Sequence, residues 1–229
     1  MNKTFVKKFL ITLRNCICDN YAANNHPDFM ELIAKWSENY IEAGCDEVGR
    51  GCLSGPVVAA AVILDENFVQ NLVNDSKKLN AKTRTYLDGY IKDNVKDFAI
   101  AELPPRHIDE HNILNASIQA MHKALDGLKM APQLILVDGN RFHPYNLIPH
   151  HCIVKGDELV LSIACASILA KNYRDKLMIE LHDQFPHYGW NTNMGYATRE
   201  HREALTKYGP TEHHRQTFRL DYTKDACNL

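Results

Sequence analysis

A mixed α/β domain with a more helical C-terminal part is the fold class that this 229-residue sequence predicts, on three observations. From Ile41 onward, short apolar runs of strand length alternate with segments of helical period. Several of those runs stop at an acid beside a glycine, the way a buried strand ends in a ligand-facing loop. A long stretch rich in small residues, Ser162 to Leu181, reads as a helix, and the pattern turns more helical from about Thr198.

Residues 1–40 differ from the rest of the chain. They hold two of the cysteines, the string Asn24-Asn25-His26-Pro27 and no strand pattern, so they read as an extension to a domain spanning 41–229. Met30 is a candidate start of the functional chain. The first strand runs from Ile41 into Asp46 and the second covers Val57 to Leu64. A polar helix comes next, near Lys82 to Asn94, then a third strand over Phe98 to Leu103. Pro104-Pro105 opens one helix carrying Ile108, Ile113, Leu114, Ile118, Met121 and Leu125 at close to helical period, with Gly127 as its stop. Leu134 to Val137 is a buried strand ending at Asp138-Gly139-Asn140. Cys152-Ile153-Val154 repeats that arrangement and ends at Lys155-Gly156-Asp157. Ala164, Ala166 and Ala170 let the long helix approach its neighbours closely.

Composition excludes several function classes. A net charge of −2 gives no overall basic field, so any polyanion site must be local. Seven cysteines with no Cys-x-x-Cys pair point to a reducing cytoplasm rather than a disulfide scaffold. The twelve histidines give a zinc site little support: two pairs are adjacent, and His182 and His187 are five apart rather than three or four. Lys3 to Arg14 resembles a secretory signal only superficially, because Arg14 interrupts a short apolar core. No run approaches the ~20 apolar residues of a membrane span.

The most informative segment is Asp46-Glu47-Val48-Gly49-Arg50-Gly51. It sets two acids at a strand end and then turns through two glycines, which places negative charge beside accessible backbone N–H groups. Taken alone the hexapeptide also reads as a surface turn with solvated acids. Three expected strand ends carry acids, however: Asp46-Glu47, Asp138 and Asp157. Carboxylates converging at one sheet edge repel unless cations hold them. Oxygen-only donors favour Mg²⁺ or Mn²⁺, and two such ions ~3.5–4 Å apart activate a water and stabilise the leaving oxygen of a phosphodiester. One objection is geometric, since neighbours on a strand point to opposite faces, so Asp46 and Glu47 should not reach one ion together. The glycine turn, or two ions, relieves it. Other motifs fail on spacing: Gly49, Gly51 and Gly55 lead into a strand rather than a helix, Gly51 to Gly55 is no nucleophile elbow, and Lys77 lacks a P-loop.

With Asp46 to Gly51, Asp138-Gly139-Asn140, Lys155-Gly156-Asp157 and Ser162-Ile163-Ala164-Cys165-Ala166-Ser167-Ile168-Leu169-Ala170-Lys171 in this order, the sequence resembles the ribonuclease HII family. Asn74 to Leu79, Gly195-Tyr196-Ala197-Thr198 and Glu212-His213-His214-Arg215 look like further landmarks, so the resemblance covers roughly Ile41 to Phe218. It implies an RNase H-like fold, with a central mixed sheet flanked by helices and a helical C-terminal portion. It implies hydrolysis of the RNA strand of RNA–DNA hybrids and nicking 5′ of single ribonucleotides in duplex DNA, leaving 3′-OH and 5′-phosphate ends. The implied metal-binding and catalytic acids are Asp46, Glu47, Asp138 and Asp157, with two Mn²⁺ or Mg²⁺ ions during catalysis. Gly49, Arg50 and Gly51 are implied to recognise the ribonucleotide's 2′-OH and phosphates, and Tyr196 to stack on the following sugar and check that it is deoxyribose. Backbone N–H groups beside glycines suit a hydroxyl or phosphate oxygen in kind. Without the resemblance, Tyr196 reads equally as a half-buried core tyrosine.

Lys77, Lys78, Lys155, Lys171, Arg174 and Arg199 are candidates for a local phosphate-binding surface, Lys155 and Lys171 foremost because they flank the acid-bearing segment. A charge run is otherwise a solvated face. The role of Ser167 stays open between site and packing. Ala197 stands where the family commonly has proline or glycine, and the N-terminal extension has no assigned counterpart. The expectation is a cytoplasmic monomer acting on hybrid or ribonucleotide-containing DNA, with no membrane partner. Two other classes are a non-catalytic hybrid-binding module, which would lack some of the acids, and a related polynucleotidyl transferase or exonuclease, which would cut all-DNA substrates.

Overall fold

A computed structural model describes residues 32–37, 39–68, 73 and 80–220. The Met30 start, the motif over residues 74–79 with Lys77 and Lys78, and most of the expected extension lie outside the described residues. Within residues 32–40, Ile33 bridges Val160, and the Glu42 carboxylate accepts the amides of Trp36 and Ser37.

Strands β1 (Glu42–Val48), β2 (Val57–Ile63), β3 (Asp97–Leu103), β4 (Leu134–Asp138) and β5 (His150–Ile153) form one sheet in the order β3-β2-β1-β4-β5. The first three pair antiparallel, whereas β1 with β4 and β4 with β5 are parallel. This is the mixed sheet that the alternating pattern predicts. Helix α1 (Ala81–Asn94), capped by the Asn80 side chain, precedes β3. Helices α2 (Pro105–His111) and α3 (Ile113–Asp126) connect β3 to β4, and the 24-residue α4 (Leu161–Gln184) comes after β5. The short α5 (Trp190–Asn193) and α6 (Arg199–Tyr208) make up the helical C-terminal part.

Strand alternation sorts the core into two layers. Ala43, Cys45, Ala59, Ala61, Ile135 and Val137 pack on Ile108, Ala116, Met121 and Ala124 of α2 and α3. Val58, Ala60 and Val62 pack on Ala164, Cys165, Ile168 and Leu169 of α4 and on Leu87 and Ile91 of α1. Because β2 is covered on both faces, its sequence is a continuous apolar run rather than an alternation. Small residues bring α4 close: a Cβ on Gly44 would fall 2.3 Å from the Ser162 carbonyl carbon.

Two expectations are corrected. The single helix from Pro104 to Gly127 is two helices, broken at Asn112, whose φ of 63° is left-handed and whose side chain caps α3 through the Asn115 amide. Apolar spacing continues across the break, so periodicity alone does not reveal it; the asparagine side chain supplies the cap that starts the second helix. Asp157 does not end a strand either. β5 stops at Ile153, Lys155 turns the chain with a φ of 58°, and Asp157 sits in the 3-10 turn Gly156–Glu158 that leads into α4.

The C-terminal segment returns to the turn between β1 and β2. Ser54 bridges His214, the Arg215 amide donates to the Leu53 carbonyl, the Gly55 amide to that of His213 and the Leu53 amide to that of Gly195. Residues distant in sequence thus support the loop that comes after Asp46-Glu47. No helix among the described residues is long and apolar enough to cross a membrane.

Candidate active site

Cys45 of β1 lies opposite Val137 of β4 in parallel register, so the next residues, Asp46 and Asp138, reach the same level at one end of the sheet. Their faces differ as strand geometry demands. Glu47 opens, with Asp138, Gly139, Asn140, Arg50 and Arg141, into a cleft of about 240 Å³ floored by Leu114, Ser117, Ile118 and Met121. Asp46 faces the other layer, where the Ser167 hydroxyl of α4 hydrogen-bonds it. The opposite-face objection therefore holds for Asp46 and Glu47, and Asp138, at the strand tip, is the acid within charge range of both.

Burial first, then the charges of Glu47 and Asp138, holds the Asp46 carboxyl well above the usual carboxylate range; Ser167 opposes the shift and Asp157 adds to it. Burial also raises Glu47, opposed by Arg50, whose Nη1 donates to Oε1 at 3.0 Å. Asp138 Oδ1 accepts the Gly156 amide at 2.7 Å, which ties β4 to the turn carrying Asp157. Asp157 itself is buried. The four acids share one electrostatic neighbourhood, but each of Asp46, Glu47 and Asp138 is engaged by protein donors. Among the described residues no three His, Cys, Asp or Glu side chains are gathered tightly enough to hold an ion as placed. The donor set nonetheless suits a hard divalent cation: it is oxygen only, and it is destabilised by its own repulsion.

Two guanidiniums with no exposed surface hold the glycine turn from beneath. Arg174 of α4 donates to the carbonyls of Pro56 (2.9 Å), Met194 (2.8 Å) and Ser54 (3.0 Å). Arg215 donates to those of Gly49 (2.6 Å), Arg50 (2.9 Å) and Gly55 (3.0 Å). Carbonyl dipoles thus satisfy both buried charges and draw the loop's acceptors inward. Gly49 has a φ of +94°, and a Cβ there would fall 2.3 Å from Arg174 Nε, so glycine is required on both counts. Tyr196 lies over the other side of the turn: a Cβ on Gly51 would be 3.9 Å from its ring. Tyr196 is half-buried, with 43% of its surface exposed.

The family profile described as Ribonuclease HII matches residues 43–225. Among similar proteins, the ribonuclease HII of Christiangramia forsetii is 56% identical over 178 residues, 78% of this chain and 90% of that one. That of Phocaeicola vulgatus is 52% identical over 189 residues, 82% and 94% of the two chains. The chain belongs to the ribonuclease HII family. Solved structures agree: ribonuclease H2 from Pyrococcus horikoshii OT3 superposes with a TM-score of 0.68 at 27% identity, covering 78% of this chain and 94% of that one. The RNase HII of Archaeoglobus fulgidus, solved with PCNA, gives 0.67 at 28%, covering 81% and 98%. A Bst ribonuclease HIII in complex with Mn²⁺ gives 0.61 at 20% identity, covering 78% and 67%, a likeness of fold.

As a member of this family, the protein is a divalent-metal-dependent hydrolase that cuts the RNA of RNA–DNA hybrids endonucleolytically. Its basic residues divide. Lys155 is exposed, with Nζ 3.9 Å from Glu158, while Lys171 is bound to Asp175 at 2.6 Å, as is Arg84 at 3.1 Å. Arg199 is exposed and pairs with Glu203. Arg174 does not belong to a phosphate-binding surface, because it is fully buried and each of its three nitrogens already donates to a main-chain carbonyl. Sequence reasoning leaves Ser167 open and assigns nothing to Arg215, His201 or Arg141. A small polar residue amid alanines is the one signal for Ser167; Arg215 reaches the turn across more than 160 residues, which no local pattern encodes.

Proposed function

We propose that Asp46, Glu47, Asp138 and Asp157 hold Mn²⁺ or Mg²⁺, two ions during catalysis, and that the ions supply an activated water and leaving-group stabilisation. In this reading the enzyme cuts 5′ of a ribonucleotide, in hybrids and at single ribonucleotides in duplex DNA, leaving 3′-OH and 5′-phosphate ends. The observation that carries it is the meeting of four buried or cleft-lining carboxylates with a glycine turn held from behind. Raised carboxyls that repel one another gain most from a cation. Arg50 screens Glu47 meanwhile, and a phosphate entering the cleft gives that guanidinium a second partner.

Gly49, Arg50 and Gly51 are assigned the 2′-OH and adjoining phosphates, since Arg174 and Arg215 draw the loop's carbonyls away from the cleft side. Tyr196 is assigned the next sugar, from its exposed ring beside Gly51. Lys155 and Lys171 are assigned backbone phosphates, Lys171 by exchanging Asp175 for one. One chain suffices as the acting unit, because every group named lies between residues 46 and 215. The free thiols of Cys45, Cys52, Cys152 and Cys165 suit a reducing cytoplasm. The test uses an end-labelled DNA duplex with one ribonucleotide, in Mn²⁺, Mg²⁺ or EDTA. The expected result is metal-dependent nicking on the 5′ side only, with a 3′-OH terminus; a 2′,3′-cyclic phosphate product would overturn the water-nucleophile reading.

A further inference from the structure

Behind Tyr196 lies a closed polar network that the functional reading leaves unused. His201, His214 and Trp190 are buried completely or nearly so. The Thr211 amide donates to His214 Nδ1 at 2.9 Å. An amide cannot accept, so the His214 proton is on Nε2, which faces His201 Nε2 at 3.1 Å. Trp190 Nε1, which only donates, also points at His201 Nε2, at 3.1 Å. That nitrogen therefore receives two N–H groups, and the His201 proton sits on Nδ1, 2.8 Å from the Tyr196 carbonyl, which only accepts. This assignment gives each ring one donor and one acceptor: the Trp190 and His214 N–H groups share the lone pair of His201 Nε2, and Thr211 Oγ1 lies 3.0 Å from His214 Nδ1 beside the amide. A histidine pair that only filled space would be served as well by apolar side chains.

We propose that His201 and His214 are positioning residues for Tyr196: His214 and Trp190 force the His201 proton onto Nδ1, and that N–H holds the tyrosine backbone where its ring meets the substrate beside Gly51. Independent bonds hold the other side of the same backbone, from the Tyr196 amide to the Asn193 carbonyl and from the Gly195 amide to Asn193 Oδ1. The Thr198 amide also donates to the Tyr196 carbonyl, at 2.8 Å, so the histidine bond is the second on that oxygen and the one that ties it to the buried Trp190–His214 cluster. The inference rests on reading Tyr196 as the residue that senses the sugar after the ribonucleotide.

The experiment compares kcat/KM on a duplex with one embedded ribonucleotide, where the next sugar is deoxyribose, against a long RNA–DNA hybrid, where it is ribose. Tyr196→Ala should lower this preference about tenfold, the scale of one lost aromatic stack. His201→Gln keeps an acceptor for Trp190 and His214 but loses the bond to Tyr196, and should lower the preference as Tyr196→Ala does. His201→Asn keeps an N–H at the place of Nδ1 and should retain most of it. The double variant His201→Gln with Tyr196→Ala should match Tyr196→Ala alone. Equal preference in the Gln and Asn variants, or multiplying effects in the double variant, overturns the positioning role. An unchanged preference in Tyr196→Ala overturns the reading of Tyr196 and the proposal with it. Should His201→Gln fail to fold, His214→Gln, which keeps an N–H toward His201, and His214→Asn, which does not, ask the same question: retention in the first with loss in the second supports the proposal, and no difference overturns it.

Discussion

Asp46 occupies a position where burial and the charges of Glu47, Asp138 and Asp157 all disfavour its ionised form, so the metal-free enzyme carries electrostatic strain at neutral pH. Asp46→Asn keeps the shape and a partner for Ser167 while removing one repelling charge. In EDTA it should raise the melting temperature by about 2–5 °C in scanning calorimetry, while cleavage is abolished. A fall in melting temperature would mean that the carboxylate is held by favourable contacts instead. Arg215 is the opposite case, a buried charge whose three nitrogens all donate to main-chain carbonyls. Burial, then the Arg174 charge, lowers its pKa to about 10, which still leaves it charged at neutral pH. Arg215→Lys offers a single ammonium where a planar fork spans the carbonyls of Gly49, Arg50 and Gly55, and should cost about 3 kcal/mol in urea unfolding. The loosened Gly49–Gly51 turn should then raise KM more than it lowers kcat. His214 carries a pH signature. Its pKa is lowered to about 4, by burial first and then by the His201 charge, so below about 6.5 the unfolded chain binds a proton that the folded one refuses. Stability should therefore fall from pH 7 toward pH 4, by on the order of 3 kcal/mol from this group. Raised carboxyls at Asp46 and Glu47 act in the opposite sense, so the comparison is with His214→Gln, whose loss between pH 7 and pH 5 should be smaller.

At the scale of elements, β1 and α4 meet without side-chain spacing at Gly44, where an added methyl would strike the backbone of Ser162 and Ile163. Gly44→Ala should destabilise by at least about 2 kcal/mol, read from denaturant midpoints, and should also disturb Asp46 two residues on. The strands are legible in the sequence because their apolar runs have the right length and stop at acids: Leu134 to Val137 and Val57 to Ile63 are covered on both faces and carry no competing helical period. The break at Asn112 is not legible, since Ile108 and Ile113 continue one stripe and only the asparagine's left-handed backbone ends it. The turn holding Asp157 misleads for a related reason: Cys152-Ile153-Val154 looks like strand to its end, yet Val154 is already outside the ladder. The short α5 and the 3-10 turn before it, Pro186–Tyr188, are too brief to show a period. They are specified instead by the packing of Trp190 and Tyr188 against His201 and His214.

Over the whole molecule the proposed site depends on a long-range closure. The acids come from β1, β4 and the entry to α4, and the turn after the first two is held by Arg174 and by a segment beyond α6. Asp109 of α2 secures that segment by accepting the amides of Gln216 and Thr217, which fixes Arg215 from outside. Sequence alone singles out the four acids and the glycine turn that the fold brings to one end of the sheet, because carboxylates at run ends and glycines at a turn leave local marks. It marks Arg174 as a basic candidate and His214 and Arg215 as part of a landmark, but not what they do, because their contacts with the turn and with His201 form only through the fold. The central claim is that the carboxylates gathered around the ends of β1 and β4 make the metal-dependent cleavage centre. The most direct measurement incubates wild-type and Asp138→Asn protein, both verified as folded by circular dichroism, with an end-labelled duplex bearing one ribonucleotide and with its all-DNA counterpart in Mn²⁺. The account predicts a nick 5′ of the ribonucleotide by the wild type, none by Asp138→Asn, and no cutting of all-DNA by either. Near-wild-type nicking by a folded Asp138→Asn protein would contradict it.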